Sequence, residues 1–207
     1  LNAPNVGSYT IVATKDGSLN YFDISDSHSI EITKARQADF EITNDLSYVY
    51  DPIGTISIDV SGGTDVTDLS FTVNGDTFDG ILNAPNVGSY TIVAIKDGSL
   101  NYFDISDSHI VEITKATQQP FAITNDVSYV YDPIGTISIN VFGGSDITDV
   151  SFTLSGESFD GILNAPNVGF YNIVAIKDGS LNYFDISDSH SIEITKAQQS
   201  VFEITNE

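Results

Sequence analysis

The sequence has no cysteine. Disulfide staples and thiolate zinc sites are therefore excluded, while the compartment is left open by that absence. Basic residues are scarce: 7 Lys and Arg stand against 29 Asp and Glu, a net charge of −22. A surface of that sign repels polyanions, which argues against nucleic acid and anionic membranes as partners. No apolar run approaches the ~18 residues of a membrane-spanning helix, so membrane insertion is not expected. No segment carries a convincing apolar stripe of 3.6-residue period, which removes amphipathic helices from the expected architecture. Gly-x-Ser-x-Gly elbows, EF-hand loops and glycine-rich nonapeptides are also missing.

What is present is repetition. Leu1-Asn2-Ala3-Pro4-Asn5-Val6-Gly7 returns at Leu82 and at Leu163, a period of 81 residues. Each return opens a stretch of 35 residues, and the first two copies differ only at Thr14/Ile95, Ser29/Ile110 and Ile30/Val111. A period this long and faithful signifies one small domain used in series. The chain opens inside a repeat and carries no visible signal peptide, so it reads as a window on a longer array.

Alternation and turn chemistry place the strands. Expected are Phe40–Thr43, Thr55–Val60 ended by Ser61-Gly62-Gly63, Leu69–Val73, a two-residue turn at Asn74-Gly75 with a return through Thr77-Phe78, Ser89–Ile95, a short strand or loop at Asn101–Phe103, and Val111–Thr114. Six to eight short strands per ~80 residues predict an all-β fold of tandem β-sandwich domains. Differences between copies assign the faces. Ser8/Ser89/Phe170, Thr10/Thr91/Asn172 and Thr14/Ile95/Ile176 share one parity, whereas Tyr90, Ile92 and Ala94 recur unchanged on the other. Side chains of opposite parity point to opposite faces of a sheet, so Tyr90, Ile92 and Ala94 are expected in the core. Ile56, Ile58 and Val60 are placed there by the same logic, opposite the variable Asp59/Asn140 and Ser61/Phe142. The volume-similar swaps Leu69/Val150 and Val73/Leu154 predict a buried third strand.

Boundaries follow. Residues 1–39 read as the C-terminal part of a preceding repeat, 40–120 and 121–200 as two repeats, and 201–207 as the first strand of a following one. The joints Lys34–Asp39 and Lys115–Pro120 are short and free of glycine. Such links restrict hinge motion, which predicts an elongated, semi-rigid array in which each repeat's partners are its neighbours.

In order, Tyr48-Val49-Tyr50-Asp51, Asn86-Val87-Gly88-Ser89-Tyr90-Thr91-Ile92, Asn101-Tyr102 and Glu112-Ile113-Thr114-Lys115-Ala116 resemble the Ig-like bacterial surface repeats known as MBG or YDG domains. Pro52 stands where that family has glycine after the Asp. The resemblance spans every repeat. It implies an Ig-like β-sandwich in large secreted or wall-attached proteins, often adhesins, and supplies no catalytic residue.

Candidate sites are few. Asp97, Asp104 and Asp107 form the densest acidic stretch and recur as Asp178, Asp185 and Asp188; Asp65 and Asp68 belong to a second acidic loop. Calcium takes several oxygen ligands from flexible loops, and a small domain without staples gains from such an ion. The same residues also serve as turn formers and solubilising charges. One histidine per repeat, His28, His109 and His190, reads as a lone exposed residue at a strand start rather than a zinc ligand. Tyr48, Tyr50, Tyr90 and Tyr102 suit either half-buried strands or a sugar-binding groove. Lys96 in a turn and Lys115 at a strand end do not read as core lysines of the kind that form isopeptide crosslinks.

The sequence thus predicts no enzyme. It predicts a structural tandem repeat, a stalk or fibre in a bacterial cell-surface or secreted adhesin-like protein, extracellular, with no adhesive target named by its residues. One alternative is a binding module whose repeats contact glycans or host proteins by multivalency. Another is a strand-exchanged filament, in which Val201–Glu207 completes residues 1–39 of a second chain by β-strand addition.

Overall fold

A computed structural model of the protein describes residues 4–64, 68–145 and 148–204, and every helix or strand assigned among them is a β-strand. In chain order they are β1 (Gly7–Lys15), β2 (Ile24–Ile32), β3 (Phe40–Ile42), β4 (Ser47–Val49), β5 (Thr55–Ser57), β6 (Val60–Gly62), β7 (Leu69–Val73), β8 (Asp76–Phe78), β9 (Ile81–Asn83), β10 (Gly88–Lys96) and β11 (Ile105–Thr114). The next repeat supplies β12 (Phe121–Ile123), β13 (Ser128–Val130), β14 (Thr136–Ser138), β15 (Val141–Gly143), β16 (Val150–Leu154), β17 (Glu157–Phe159), β18 (Ile162–Asn164), β19 (Gly169–Lys177) and β20 (Ile186–Thr195). Among the described residues, nine strands per repeat exceed the expected six to eight, because β4 and β9 were not foreseen and the Thr55–Val60 segment divides in two.

The chain forms two units, Leu1–Tyr48 with Pro52–Ile113, and Val49–Asp51 with Thr114–Glu207. In the second, a five-stranded sheet of order β13-β20-β19-β16-β17 is accompanied by the short pairs β12-β15 and β14-β18. The edge strand β13 runs parallel to β20 (Tyr129 opposite Ile194), while β20, β19, β16 and β17 pair antiparallel. The core lies between the layers. Phe121, Ile123, Ile139 and Leu163 of the short pairs meet Ile173, Ala175, Ile192 and Ile194 of the large sheet. In the first unit the sheet β4-β11-β10-β7-β8 accompanies β3-β6 and β5-β9, and Phe40, Ile42, Ile58, Leu82, Ile92, Ala94, Val111 and Ile113 are buried.

The face assignment holds in the long strand. Ile92 and Ala94 are fully buried and Ser89 and Thr91 exposed; Tyr90 is half-buried, with its hydroxyl donating to the Asn86 carbonyl at 2.9 Å. Phe170 and Phe142 lie on the solvent face, 71% and 78% exposed. The Asn74-Gly75 turn has φ of 50° and 95°, the two positive values a type I′ hairpin requires.

Other expectations are corrected. Thr55–Val60 keeps its alternation but not one ladder: β5 pairs with β9 and β6 with β3. The changeover falls at Ile58-Asp59, where the Ile58 N–H donates to Gly80 and the Asp59 carbonyl accepts from Thr43. Gly62 does not end the strand but belongs to β6. The third strand is not sealed: Leu69 is 39% exposed and Val73 half-buried, since only the three-residue β8 lies beyond β7 at the sheet edge. The last strand begins at Ile105 rather than Val111, so Asp107 sits within it, and Asn101–Phe103 is a loop with one isolated bridge at Tyr102. In the first copy β1 and β2 keep the same register, yet Ile11 is 43% exposed and Ala13 is exposed, because this hairpin forms a two-stranded sheet of its own.

Candidate functional site: a glutamine clasp at each joint

The joints Lys34–Asp39 and Lys115–Pro120 are each docked on the loop that follows a long strand. In the first unit Ala35 forms a parallel bridge with Tyr102. Its N–H donates to the Asn101 carbonyl at 2.9 Å, and its carbonyl accepts from Phe103 at 3.0 Å. Two residues on, the Gln37 side chain turns inward and is only 8% exposed. Its amide nitrogen donates to the carbonyls of Phe103 (2.9 Å) and Asp97 (3.3 Å), and its oxygen accepts from the Thr64 N–H (3.3 Å). The Thr64 hydroxyl accepts in turn from the Ala38 N–H at 2.7 Å. A buried amide must satisfy both ends, and backbone groups meet both of them here.

The second unit repeats the arrangement. Ala116 bridges Tyr183, with 2.9 and 3.0 Å bonds to Asn182 and Phe184. Gln118, 5% exposed, donates to Phe184 (2.9 Å) and Asp178 (3.2 Å) and accepts from Ser145 (3.2 Å). The Ser145 hydroxyl accepts from the Gln119 N–H at 2.7 Å, so the Thr64/Ser145 exchange preserves the one group required there. Lys115 donates to the Ser180 carbonyl at 2.6 Å and lies 5.9 Å over the Phe184 ring, as Lys34 lies over Phe103. The ring of Tyr50 meets Tyr183 edge-on, centroids 5.4 Å apart.

Glycines make room for the clasp. Gly143 (φ +97°) and Gly62 (φ +88°) bring their backbone against the carbonyls of Pro120 and Asp39, where a Cβ would collide. Gly144 and Gly63 pass the stems of Lys177 and Lys96. Lys177 is 9% exposed and donates to the Thr148 carbonyl at 3.1 Å, while Lys96 is half-buried, so the lysine that ends the long strand is an interior group and not a solvated turn residue.

The acidic candidates separate. Asp97, Asp104, Asp178 and Asp185 are exposed loop residues, Asp68 precedes β7, and Asp65 lies outside the described residues. Asp107 and Asp188 are half-buried in strands; each accepts a 2.8 Å bond from a first-strand N–H, Ile42 and Ile123 respectively. Among the described residues no three His, Cys, Asp or Glu side chains gather as a metal group. The histidines are neither at strand starts nor, in the full repeats, exposed. His109 and His190 lie mid-strand opposite the buried Ile92 and Ile173, with each Nε2 buried and without a hydrogen-bond partner. The tyrosines of the proposed sugar groove are half-buried.

No protein-family model and no curated protein matches this chain. Similar solved structures include fibronectin(III)-like modules of Clostridium thermocellum CbhA (15% identity, 81% of this chain and 100% of that one, TM-score 0.36). Drosophila N-cadherin EC1-3 (9%, 84% and 74%, 0.32) and an I-band fragment of titin (11%, 93% and 75%, 0.37) are others. The chain's own topology, a five-stranded sheet with a parallel edge pair and a second layer of short pairs, makes each repeat an Ig-like β-sandwich.

Proposed function

We propose that the chain is a non-catalytic structural tandem repeat, part of a stalk or fibre in an extracellular or bacterial cell-surface protein of the adhesin type. The observation that carries this reading is the clasp: the same Lys-Ala-x-Gln joint is docked in the same way in two places one period apart. A joint whose backbone is bridged and whose glutamine is buried resists bending and pulling more than a solvated linker does. Strong negative charge keeps neighbouring molecules apart in solution.

The rival reading, a glycan- or protein-binding module, draws on the half-buried tyrosines. Against a shared site stand the solvent-face differences: Phe142 and Phe170 occupy positions that are Ser61 and Ser89 in the other repeat. Single-molecule stretching tests the structural role. Cooperative unfolding steps of about 250 Å, the extended length of one repeat less its folded span, are expected. Extension without resolved steps overturns the proposal, and retention of one glycan class on an array transfers it to the binding reading.

A further inference from the structure

Tyr50 and Tyr183 are anchored to one stretch of backbone, two residues apart. The Tyr50 N–H donates to the Thr114 carbonyl at 2.8 Å. Ala116 then forms its parallel bridge with Tyr183, flanked by the bonds to Asn182 and Phe184. Val49–Asp51 accordingly groups with Thr114–Glu207 in the second unit. The two phenol rings meet edge to face at 86°, centroids 5.4 Å apart, and both residues are half-buried. The same anchors recur at the period of the chain: the Tyr131 N–H donates to the Thr195 carbonyl at 2.8 Å, and Tyr102 is bridged to Ala35. Composition supplies an independent observation. The chain has ten tyrosines and no cysteine, methionine or tryptophan. Thiols and thioethers consume oxidants where they are present, and indoles do the same. Without them, the phenols are the side chains from which a one-electron oxidant withdraws electrons.

We propose that Tyr50 and Tyr183 are a site of oxidative crosslinking, joined as dityrosine by a one-electron oxidant of the haem peroxidase and hydrogen peroxide class. Each phenol gives up one electron and one proton and becomes a tyrosyl radical. The two radicals couple at ring carbons ortho to the hydroxyls. One carbon–carbon bond forms, the two ring hydrogens at the new bond move to the oxygens, and both hydroxyls are restored. One hydrogen peroxide takes up the two electrons and two protons and leaves as two waters. The backbone anchors at Thr114 and Ala116 hold the rings in contact before oxidation, so coupling of this pair has the advantage of an intramolecular reaction between positioned groups. Edge-to-face packing sets the rim of one ring against the other, and rotation about the side-chain torsions brings the ortho carbons together. The product closes a covalent loop across the joint Lys115–Pro120, in a chain with no thiol to make a disulfide there.

The crosslink is a property of the pair and does not depend on the stalk reading; the stretching experiment and the oxidation below can fail separately. The intact folded chain is oxidised at low concentration with a haem peroxidase and hydrogen peroxide, then unfolded and cut with trypsin. Cleavage after Lys and Arg leaves Tyr50 on the peptide 37–96 and Tyr183 on the peptide 178–196, of which it is the single tyrosine. The monomer is expected to show dityrosine fluorescence and to be lighter by two hydrogen atoms. A peptide joining 37–96 to 178–196 is expected, with fragmentation placing the bond at Tyr50. Its yield should be about tenfold higher than from the chain oxidised in urea, where the two rings are no longer held together. Tyr50→Phe should abolish that adduct, while Tyr48→Phe, a change on the same peptide, should leave it. Both variants keep the aromatic ring, and urea curves matching the parent chain establish that they fold. Absence of the adduct from the folded chain, its survival in Tyr50→Phe, or equal yields from folded and unfolded chain would each overturn the proposal.

Discussion

Gln118 donates its side-chain amide to the carbonyl of Phe184 across 2.9 Å, from a joint residue into the loop of the repeat that follows. Gln37 and Phe103 hold the same relation 81 positions earlier. The bond belongs to a buried set that also includes the Asp178 carbonyl and the Ser145 N–H. Removing the amide therefore strands several backbone groups together.

Gln118→Ala is expected to destabilise the second unit by about 2–3 kcal/mol, the combined cost of unsatisfied buried groups and a small cavity. Urea unfolding followed by tyrosine fluorescence measures it. Trypsin supplies a second reading, since cleavage after Lys115 should accelerate once Ala116 is no longer held against Tyr183. A change under 0.5 kcal/mol would show that the glutamine is incidental.

Two glycines with similar backbone angles should respond differently. Gly143 (φ +97°) and Gly156 (φ +91°) both lie in the left-handed region, so alanine strains either one. At Gly156 nothing lies within 4 Å of an added Cβ, and Gly156→Ala should cost about 1 kcal/mol. At Gly143 the Cβ runs into the Pro120 carbonyl, and Gly143→Ala should cost more than ~3 kcal/mol or prevent folding. Equal losses in chemical denaturation would mean that the joint does not pack against β15.

His190→Leu is expected to raise stability by about 1 kcal/mol. Nε2 is buried without a partner, opposite the fully buried Ile173, and a leucine of comparable size removes that unsatisfied atom. His28→Leu should have no such effect, since His28 is exposed in β2. Parallel urea curves of the two variants make the comparison; loss of stability in His190→Leu would point to a partner for the imidazole.

Calcium should leave the melting midpoint unmoved. Asp107 and Asp188 are occupied by backbone N–H groups, and no three acidic or histidine side chains converge among the described residues. Thermal melts in EDTA and in millimolar calcium check this. A higher midpoint with calcium would make ligands of the exposed loop residues Asp97, Asp104, Asp178 and Asp185.

The clasp left a trace in the sequence. Across the joints Lys34–Asp39, Lys115–Pro120 and Lys196–Val201, only Lys, Ala and the fourth-position Gln are retained, while Arg36 becomes Thr117 and Gln198, and Asp39 becomes Pro120 and Val201. A polar residue kept among changing neighbours is a buried-contact signal, but the glutamine carries no hydrophobic period and reads as linker. The histidines show the opposite failure. His109 sits at an inward position of β11, yet the acidic and serine-rich run Asp104–Ser108 reads as loop and hides the strand that orients it.

Local chemistry determined the elements: period-two alternation made the strands, two consecutive positive-φ residues made the Asn74-Gly75 hairpin, and differences between copies distinguished Phe170 outside from Ile173 inside. Tertiary structure decided the rest. That Thr55–Val60 serves two ladders depends on segments about 20 to 30 residues away; that Asp107 binds the Ile42 N–H and that Gln37 and Gln118 are interior groups depend on segments about 65 residues apart being brought together. Periodicity can register only neighbours along a strand; the burial of a polar side chain is set by what folds over it.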